Sequence, residues 1–347
     1  MKALQLTAWK HEPEFREVPE PVPGPGEVVV RIGGAGACHS DLHLMHDFEA
    51  GMLGWGPPFT LGHENAGWVE ALGPGVRGVE VGEPVAVYGP WGCGRCARCL
   101  AGTENYCERQ AEIGAMGGGL GRDGGMAPLM LVPNARWLVP LGGLDPVAAA
   151  PLTDAGLTPY HAVKRSLSLL VPGSFAVVIG AGGLGHLAVQ VVRALSPATV
   201  IVVDQRPAAL KLAEEVGAHA TVLVGADAAA ELRALTFGRG ADVVLDFVGA
   251  DATLALGAAV ARPLGHLTIV GIAGGTLPVS FFGIPYEVSV ATTYWGTLPE
   301  LVEVIALASS GRIRPHVQRF TLDDAPRAYE AMRQGRLEGR AVVTPSG

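Results

Sequence analysis

The stretch Phe175–Leu195, FAVVIGAGGLGHLAVQVVRAL, decides the fold of this 347-residue chain. Its first residues form an apolar run typical of a buried strand, and the glycine pattern G-x-G-x-x-G leads from there into a helix-forming segment. The next apolar run, TVIVVD, ends at Asp204, about 20 residues after the glycines. A strand, a glycine turn, a helix and an acidic residue in this order predict a dinucleotide-binding unit.

Each glycine of this stretch has its own predicted role. The first permits a tight turn, the second lets the backbone approach a pyrophosphate, and the third lets the helix pack closely on the strand. The helix N-terminus then receives the phosphate charge. The predicted cofactor contacts in this region are Gly180, Gly182, Gly183, Leu184, Gly185 and Asp204.

Asp204 and Arg206 bear on the choice between NAD and NADP. A carboxylate that accepts the ribose hydroxyls repels a 2′-phosphate, so Asp204 favours NAD. Arg206 is the opposing feature, because an arginine at this point can grip that phosphate. A solvated surface charge is the alternative interpretation of Arg206, and we predict NAD as the cofactor.

Apolar and amphipathic segments alternate from Pro172 onward. Six runs rich in β-branched residues read FAVVIG, TVIVVD, ATVLV, DVVLDFV, HLTIVGI and VSVATTYW. The segments between the first five of them, at 185–196, 207–216, 227–237 and 251–262, are rich in Ala and Leu and predict helices. This alternation predicts an α/β fold with a doubly wound parallel sheet. The first 150 residues instead contain short runs divided by Pro and Gly, which predict a mostly-β region.

Charge and hydropathy disfavour several classes of partner. The formal net charge is −8 without any basic block, which argues against a nucleic-acid or anionic-membrane partner. Ser166–Val192 has no formal charge and is long enough to span a membrane, but Pro172 and the glycines divide it, so we predict a buried strand and helix. The N-terminus is too polar for an export signal, and the five cysteines are an odd number. These features predict a cytoplasmic protein without a disulfide framework.

Four of the five cysteines have metal-ligand spacing. Cys93, Cys96, Cys99 and Cys107 follow C-x2-C-x2-C-x7-C, which allows short turns to place four thiolates around one ion. Because the protein fills all four positions, the predicted ion is a structural zinc that holds a loop at about residues 90–110. An iron–sulfur cluster is the alternative for this spacing.

The fifth cysteine lies in GACHSDLHLMH, residues 36–46, where three histidines follow Cys38. Further along, GHENAGWVEALGPGV places His63 and Glu64 in a glycine-rich setting. Taken singly, Cys38 is more simply a small core residue and His63 a hydrogen-bonded polar residue. Their joint presence in a chain that carries a dinucleotide fingerprint favours a second metal site.

These motifs together resemble the zinc-dependent medium-chain alcohol dehydrogenases. The chain has GHE with glycines at 67 and 73, CHSDLH, the four-cysteine loop and the later fingerprint, in the order found in that family. The resemblance spans essentially the whole chain and is strongest to the bacterial NAD-dependent members that act on primary or secondary alcohols.

That resemblance implies a GroES-like, mostly-β catalytic domain at 1–155 and 296–347, and a Rossmann NAD-binding domain at 156–295. It implies interconversion of primary or secondary alcohols with aldehydes or ketones, by hydride transfer to NAD from an alkoxide held on a catalytic zinc. In the family pattern the Cys of CHSD and the His of GHE bind this zinc, which maps to Cys38 and His63.

The third zinc ligand departs from the family pattern. It is commonly a cysteine, and the matching segment PLTDAGLTPYHA has none. Asp154 offers a carboxylate oxygen, which is an acceptable zinc ligand, and helix capping is its alternative role. Glu64 is the second candidate, because its family counterpart lies near the metal.

The resemblance also assigns the proton path and further cofactor contacts. Ser40 matches the position that hydrogen-bonds the substrate oxygen, and His43 matches the position that passes the proton onward. Asp41 is expected to orient His63. The further expected cofactor contacts are His39, Arg206, Val248, Val270, Gly271, Ile272 and, at the pyrophosphate, Arg340.

The substrate pocket is predicted to be apolar, which favours bulky or secondary alcohols over ethanol. Its candidate residues, whose aromatic members have a simple core role as the alternative, are Trp55, Phe59, Trp91, Leu120, Phe282, Tyr294 and Trp295. The resemblance further implies a homotetramer paired partly through residues 288–294. Polyol or threonine dehydrogenases share this machinery, whereas a zinc-free quinone reductase lacks it. A zinc-ribbon interaction module is the alternative from another class.

Overall fold

The computed structural model describes residues 1–346. Within them, the strands are β1 (Lys2–Leu6), β2 (Glu14–Glu17), β3 (Val28–Ala37), β4 (Phe59–Thr60), β5 (Glu64–Leu72), β6 (Pro84–Val87), β7 (Gly117–Gly118), β8 (Gly121–Arg122), β9 (Leu129–Val132), β10 (Leu138–Pro140), β11 (Phe175–Ile179), β12 (Thr199–Asp204), β13 (Ala220–Leu223), β14 (Ala241–Asp246), β15 (Ala261–Ile269), β16 (Ser289–Thr292), β17 (Val317–Thr321) and β18 (Arg340–Thr344).

The α-helices range from single turns to three turns. They are α1 (His39–His46), α2 (Ala97–Leu100), α3 (Gln110–Ile113), α4 (Pro146–Ala149), α5 (Leu157–Lys164), α6 (Gly185–Leu195), α7 (Pro207–Glu215), α8 (Ala228–Leu235), α9 (Asp251–Val260), α10 (Leu298–Ser309) and α11 (Ala325–Arg333).

The chain divides into two compact units. Unit 1 contains Met1–Leu157, Trp295–Ser310 and the residues from Val317 onward, and unit 2 contains Thr158–Tyr294 and Gly311–His316. The domain boundaries expected at 155/156 and 295/296 lie within two residues of this division. The short segment Gly311–His316 differs from the expectation, because it belongs to unit 2.

Unit 2 is built on a six-stranded parallel sheet in the order β13-β12-β11-β14-β15-β16. All residues of β11 and β14 are buried, because helices cover both faces of a doubly wound sheet. The strand order reverses between β11 and β14, and ligands of such sheets bind outside the carboxyl ends of the strands at this point. The predicted Rossmann architecture is confirmed, and the uncharged stretch Ser166–Val192 contains β11 and most of α6.

Unit 1 is built on a mixed seven-stranded sheet. Its path is β10-β6-β5-β3-β18-β17, with β9 also paired to β3. β3 is antiparallel to both β5 and β18. The last strand of the chain, β18, therefore returns to the centre of the sheet of unit 1. A small sheet β2-β1-β4 and the pair β7-β8 complete the strands of this unit within residues 1–346. The mostly-β, GroES-like character that the sequence predicted is confirmed.

No helix among residues 1–346 combines the length and the apolarity that a membrane span requires.

Candidate active site

Three strand ends meet at one edge of the unit 1 sheet. β3 ends where β5 and β18 begin, because it pairs antiparallel with both. Cys38 follows the last residue of β3, His63 immediately precedes β5, and Arg340 is the first residue of β18. Sheet topology therefore brings together residues that lie far apart in the sequence.

Cys38, His63 and Asp154 form a buried group that could hold a metal ion. One ligand atom of each lies within 4.8 Å of the others. Oδ2 of Asp154 is 3.6 Å from Nε2 of His63 and 3.9 Å from Sγ of Cys38. Thiolate, imidazole and carboxylate are all zinc ligands, and three of them leave the fourth position of a tetrahedral site open. The donor set fits a catalytic zinc.

Asp154 is the C-terminal cap of a short 3-10 helix, Ala150–Thr153, and its side chain reaches this group from there. The carbonyl of Thr153 accepts a hydrogen bond of 2.8 Å from Nε1 of Trp295. The ring of Trp295 also packs edge-on against the ring of His63, with centroids 5.5 Å apart. Trp295 thus restrains both the backbone next to Asp154 and one side of His63.

Asp41 sets the orientation of His63. Its Oδ1 lies 3.1 Å from Nδ1 of His63, which places the ring hydrogen on Nδ1 and leaves Nε2 as the ligand atom. Among the protein groups alone, burial lowers the pKa of His63, but the attraction of Asp41 and hydrogen bonds to Asp154 and Cys38 outweigh burial and raise it well above its usual value. A bound divalent cation replaces that proton.

Glu64 and Arg340 form a buried ion pair beside the metal group. Nε of Arg340 donates to Oε2 of Glu64 at 2.9 Å, and Nη2 donates to Oε1 at 2.5 Å. The amide of Ala155 donates to the same carboxylate at 3.0 Å. Burial raises the pKa of Glu64 to about 7, with the Arg340 guanidinium opposing this shift.

This ion pair bears on two predictions made from the sequence. Glu64 was the second candidate for the third metal ligand, but its oxygens face Arg340 and the Ala155 amide, and Asp154 is the carboxylate that joins Cys38 and His63. Arg340 was expected at the pyrophosphate. Its guanidinium is paired with Glu64, and the pyrophosphate contact stays a prediction.

Ser40 and His43 lie on α1, which begins directly after Cys38. Oγ of Ser40 is 3.5 Å from Sγ of Cys38, so this hydroxyl lies beside the metal group. His43 is half-buried, and its Nδ1 pairs with the carboxylate of Asp47, the residue that ends the helix. Asp47 was not predicted from the sequence, although its i+4 spacing from His43 indicates that the two side chains are neighbours on one face of the helix. His39 is exposed at the first position of α1.

The four-cysteine loop has the geometry of a zinc site. Its four sulfurs lie within 4.8 Å of one another, and the Sγ distances from Cys96 to Cys99 and to Cys107 are 3.5 and 3.9 Å. Four sulfurs at about 2.3 Å from one ion in a tetrahedron are about 3.8 Å apart. A backbone hydrogen bond from Cys99 lowers the pKa of Cys96 to about 6, whereas burial raises that of Cys99 to about 12. Within residues 1–346, none of these four cysteines forms a disulfide.

The glycine loop of unit 2 has the close contacts expected of a dinucleotide fingerprint. Gly180 has φ +87, which only glycine adopts readily at the strand end. A Cβ on Gly185 would lie 1.8 Å from the carbonyl oxygen of Gly180, so the helix packs on the strand only without a side chain. Oδ2 of Asp204 accepts the amide of Ala181 at 2.8 Å, which ties the acidic residue to this loop.

Arg206 lies against Asp204 rather than in solvent. Its amide and Nε both donate to Oδ1 of Asp204, at 2.8 and 3.4 Å. The side chain is about one-third exposed, so the interpretation as a solvated surface charge is only partly correct. Held in this pair, the guanidinium offsets the charge that favours NAD.

The remaining cofactor candidates meet at the carboxyl ends of neighbouring strands. A Cβ on Gly180 would lie 2.8 Å from Cγ2 of Val248. The amides of Val270 and Gly271 donate to the carbonyl of Asp246 at 2.8 and 3.0 Å, which places their turn next to Val248. Gly183 and Leu184 are half-buried in the glycine loop, and Ile272 is exposed.

The predicted pocket residues of unit 1 lie in different surroundings within that unit. Trp295 lies at the metal group, as described. Trp55 packs edge-on against Phe59 at 5.6 Å in a separate aromatic cluster. Trp91 is buried and its Nε1 donates to the carbonyl of Tyr88 at 2.8 Å.

Phe282 is 86% exposed on unit 2 and its ring packs edge-on against Phe281. Its place in a substrate pocket stays a prediction. Residue type alone gave this prediction. Leu120 is buried in unit 1 and Tyr294 is half-buried in unit 2.

Comparison with known proteins identifies the class. Residues 24–143 match the family described as alcohol dehydrogenase GroES-like domain, and residues 183–310 match the family described as zinc-binding dehydrogenase. The chain belongs to the zinc-dependent medium-chain alcohol dehydrogenase family. It is therefore an oxidoreductase of the zinc- and NAD-dependent alcohol dehydrogenase type, as its motifs predicted.

Full-length relatives agree with this assignment. An NAD-dependent alcohol dehydrogenase of Sulfurisphaera tokodaii is 35% identical, over 99% of this chain and 100% of that protein. A D-arabinose 1-dehydrogenase (NADP(+)) of Saccharolobus solfataricus is also 35% identical, over 99% of this chain and 97% of that protein. The crystal structure of the alcohol dehydrogenase from Aeropyrum pernix has a TM-score of 0.92 and 37% identity, covering 99% of this chain and 100% of that one.

Proposed function

We propose that this dehydrogenase oxidises bulky primary or secondary alcohols with NAD, using Cys38, His63 and Asp154 to hold the catalytic zinc. The observation that carries the proposal is the buried convergence of these three side chains within 4.8 Å. The three side chains come from separate parts of the chain and lie on different elements of the fold.

Cys38, His63 and Asp154 would hold the zinc ion, which would supply the Lewis acid that lowers the pKa of the substrate hydroxyl. The protein contributes the orientation of its ligands. Asp41 holds the His63 ring so that Nε2 faces the ion, and Trp295 restrains the turn that carries Asp154. Asp154, rather than the cysteine common in the family, gives this site one thiolate and one carboxylate.

Ser40 and His43 are assigned the transfer of the proton from the substrate hydroxyl to solvent. Ser40 lies beside Cys38, and its hydroxyl can accept a hydrogen bond from the substrate oxygen. His43 lies one turn further along α1 and is partly open to solvent, so it can release the proton to water. Asp47, paired with Nδ1 of His43, holds the orientation of the ring.

The cofactor preference is assigned to Asp204. Its carboxylate is buried at the end of β12 and is fixed by the amides of Ala181 and Arg206. An ionised carboxylate in this place accepts ribose hydroxyls and repels a 2′-phosphate. The NADP-linked arabinose dehydrogenase among the relatives makes sugar oxidation the second candidate function.

The pocket is assigned to Trp295 and the neighbouring apolar side chains of unit 1. Trp295 is the aromatic residue in contact with His63, and a Cβ on Gly89 would lie 2.1 Å from its ring, so glycine at 89 makes room for the indole. An aromatic wall next to the metal group favours substrates with apolar substituents on the carbinol carbon.

We propose a homotetramer in the cytoplasm. β16 is an edge strand of the unit 2 sheet, and the aromatic side chains of Phe281, Phe282 and Tyr286 are exposed in the segment that precedes it. An open edge beside an exposed apolar patch is suited to pairing with a second copy. Among the described residues the five cysteines form no disulfide, which suits a reducing compartment. A monomer in light scattering contradicts the assembly.

A substrate panel tests the proposal. NAD reduction is compared for an aryl-substituted secondary alcohol, ethanol and a pentose, with Cys38→Ser as the variant that loses the metal. We expect the highest kcat/KM for the bulky alcohol and no turnover in Cys38→Ser. Highest kcat/KM for the pentose supports the second candidate, and highest kcat/KM for ethanol contradicts the pocket assignment.

A further inference from the structure

We infer that Tyr329 is a positioning residue for the catalytic metal, acting through Asp41 on both Cys38 and His63. This inference rests on the proposed metal site. Tyr329 lies on α11, near the C-terminal end of the chain, and its ring is fully buried. No sequence motif pointed to it.

Asp41 receives hydrogen bonds from three separate parts of unit 1. Its Oδ1 accepts from Nδ1 of His63 at 3.1 Å. Its Oδ2 accepts from the amide of Cys38 at 3.0 Å and from the hydroxyl of Tyr329 at 2.9 Å. One carboxylate therefore holds the backbone of one metal ligand and the ring of another, and Tyr329 is its third donor.

The hydroxyl of Tyr329 has two neighbours that can accept its single proton. Sδ of Met126 lies 3.3 Å away, and Oδ2 of Asp41 lies 2.9 Å away. An ionised carboxylate is a much stronger acceptor than a thioether, so the proton goes to Asp41. Burial, followed by the charge of Asp41, raises the pKa of Tyr329 well above its usual value, which keeps the phenol a donor.

Loss of the Tyr329 hydroxyl leaves Oδ2 of Asp41 with one donor in a site where both Asp41 and His63 are buried. The carboxylate is then free to turn about its side-chain bonds, and the hydrogen bond to His63 loses its fixed direction. Partners of metal-binding histidines typically contribute about 10–100-fold in metal affinity. Tyr329 lies one hydrogen bond further from the metal ligand than Asp41 does. We therefore expect a loss at the lower end of this range, about tenfold in zinc affinity.

The test is Tyr329→Phe in the full-length holoprotein. The matched control is Tyr88→Phe, which also deletes a buried hydroxyl, here one that donates to the carbonyl of Gly296 at 2.7 Å. Met126→Leu is a second control. It removes the sulfur next to the Tyr329 hydroxyl but keeps the hydrogen bond from that hydroxyl to Asp41. Zinc release to a chelator of known affinity is measured for each protein. The visible absorption spectrum is recorded after the catalytic zinc is exchanged for cobalt.

We expect Tyr329→Phe to release one of its two zinc ions about ten times more readily and to shift the cobalt spectrum. Tyr88→Phe and Met126→Leu are expected to match the wild type in both measurements. Equal release from Tyr329→Phe and wild type, or an equal change in Tyr88→Phe, overturns the inference. If the wild type holds only one zinc, the proposed metal site itself fails, which is a separate result.

Discussion

Replacing Arg340 with Met should destabilise unit 1 in a pH-dependent manner. The side chains of Arg340 and Glu64 are 4% and 0% exposed and share two hydrogen bonds. Removing one partner of a buried ion pair leaves an uncompensated charge and costs about 3–5 kcal/mol. We expect this full cost at about pH 8.5. There Glu64 is ionised in the wild-type pair and in the unfolded chain, so the variant must either bury that charge without a partner or take up a proton on folding.

The pH dependence follows from the pKa of Glu64, which burial already raises to about 7. Loss of the guanidinium raises it further. A carboxyl whose pKa is higher in the folded than in the unfolded state favours folding at low pH, and this contribution is lost as the pH rises through the folded-state value. At about pH 5 the Glu64 carboxyl of the variant is protonated and uncharged. The expected loss in free energy of unfolding is then only about 1–3 kcal/mol, the cost of a buried polar group without a partner.

Intrinsic fluorescence isolates the unit that contains this pair. All six tryptophans lie in unit 1, at Trp9, Trp55, Trp68, Trp91, Trp137 and Trp295. Urea unfolding is followed by their emission at both pH values. Arg319→Met is the control, because the Arg319–Asp145 pair is 61% and 48% exposed and should cost less than about 1 kcal/mol at either pH. A cost below about 1 kcal/mol for Arg340→Met, or an equal cost at both pH values, refutes the reasoning.

Three further predictions concern the cofactor, the proton path and the structural zinc. Asp204→Ala should reduce the preference for NAD over NADP at least about tenfold, since a hydrogen bond to a charged group contributes about 1.5–3 kcal/mol; an unchanged ratio of kcat/KM values counts against the role of Asp204. His43→Ala should lower kcat about a hundredfold and change its pH profile with zinc content unaltered, and an identical profile removes His43 from the proton path. Cys96→Ser should lose one zinc per chain and melt at a lower temperature, as measured by metal analysis and calorimetry, and full retention of zinc contradicts the four-thiolate site.

The sequence predicted the fold of unit 2 closely, because its strands and helices are long, local and strongly patterned. FAVVIG, TVIVVD and the helix after the glycines coincide with β11, β12 and α6. In unit 1, some of the short runs divided by Pro and Gly form strands β3, β5 and β6, but β1, β2 and β4 were not predicted. Their small sheet depends on pairing between distant segments, such as Leu6 with Phe59, which local pattern does not encode.

The metal ligands and Asp41, the partner of His63, were proposed from motif order, whereas Tyr329 and the pairing of Arg340 with Glu64 were not. Tyr329 meets Asp41 across 288 residues, and Arg340 meets Glu64 across 276. Both contacts arise because β18 and α11 return to the N-terminal unit, which is a property of topology rather than of spacing. The exposure of Phe282 was not predictable either, since aromatic character alone does not say whether a side chain is covered.

The central claim is that Cys38, His63 and Asp154 hold a zinc ion that NAD-linked oxidation requires. The most direct measurement determines zinc per chain and NADH formation from an alcohol on the same samples of wild type and Asp154→Ala. Two zinc ions and turnover are predicted for the wild type, against one zinc ion and no turnover for the variant. A variant that keeps both zinc ions and the wild-type rate, or a wild type with a single zinc ion, contradicts the account.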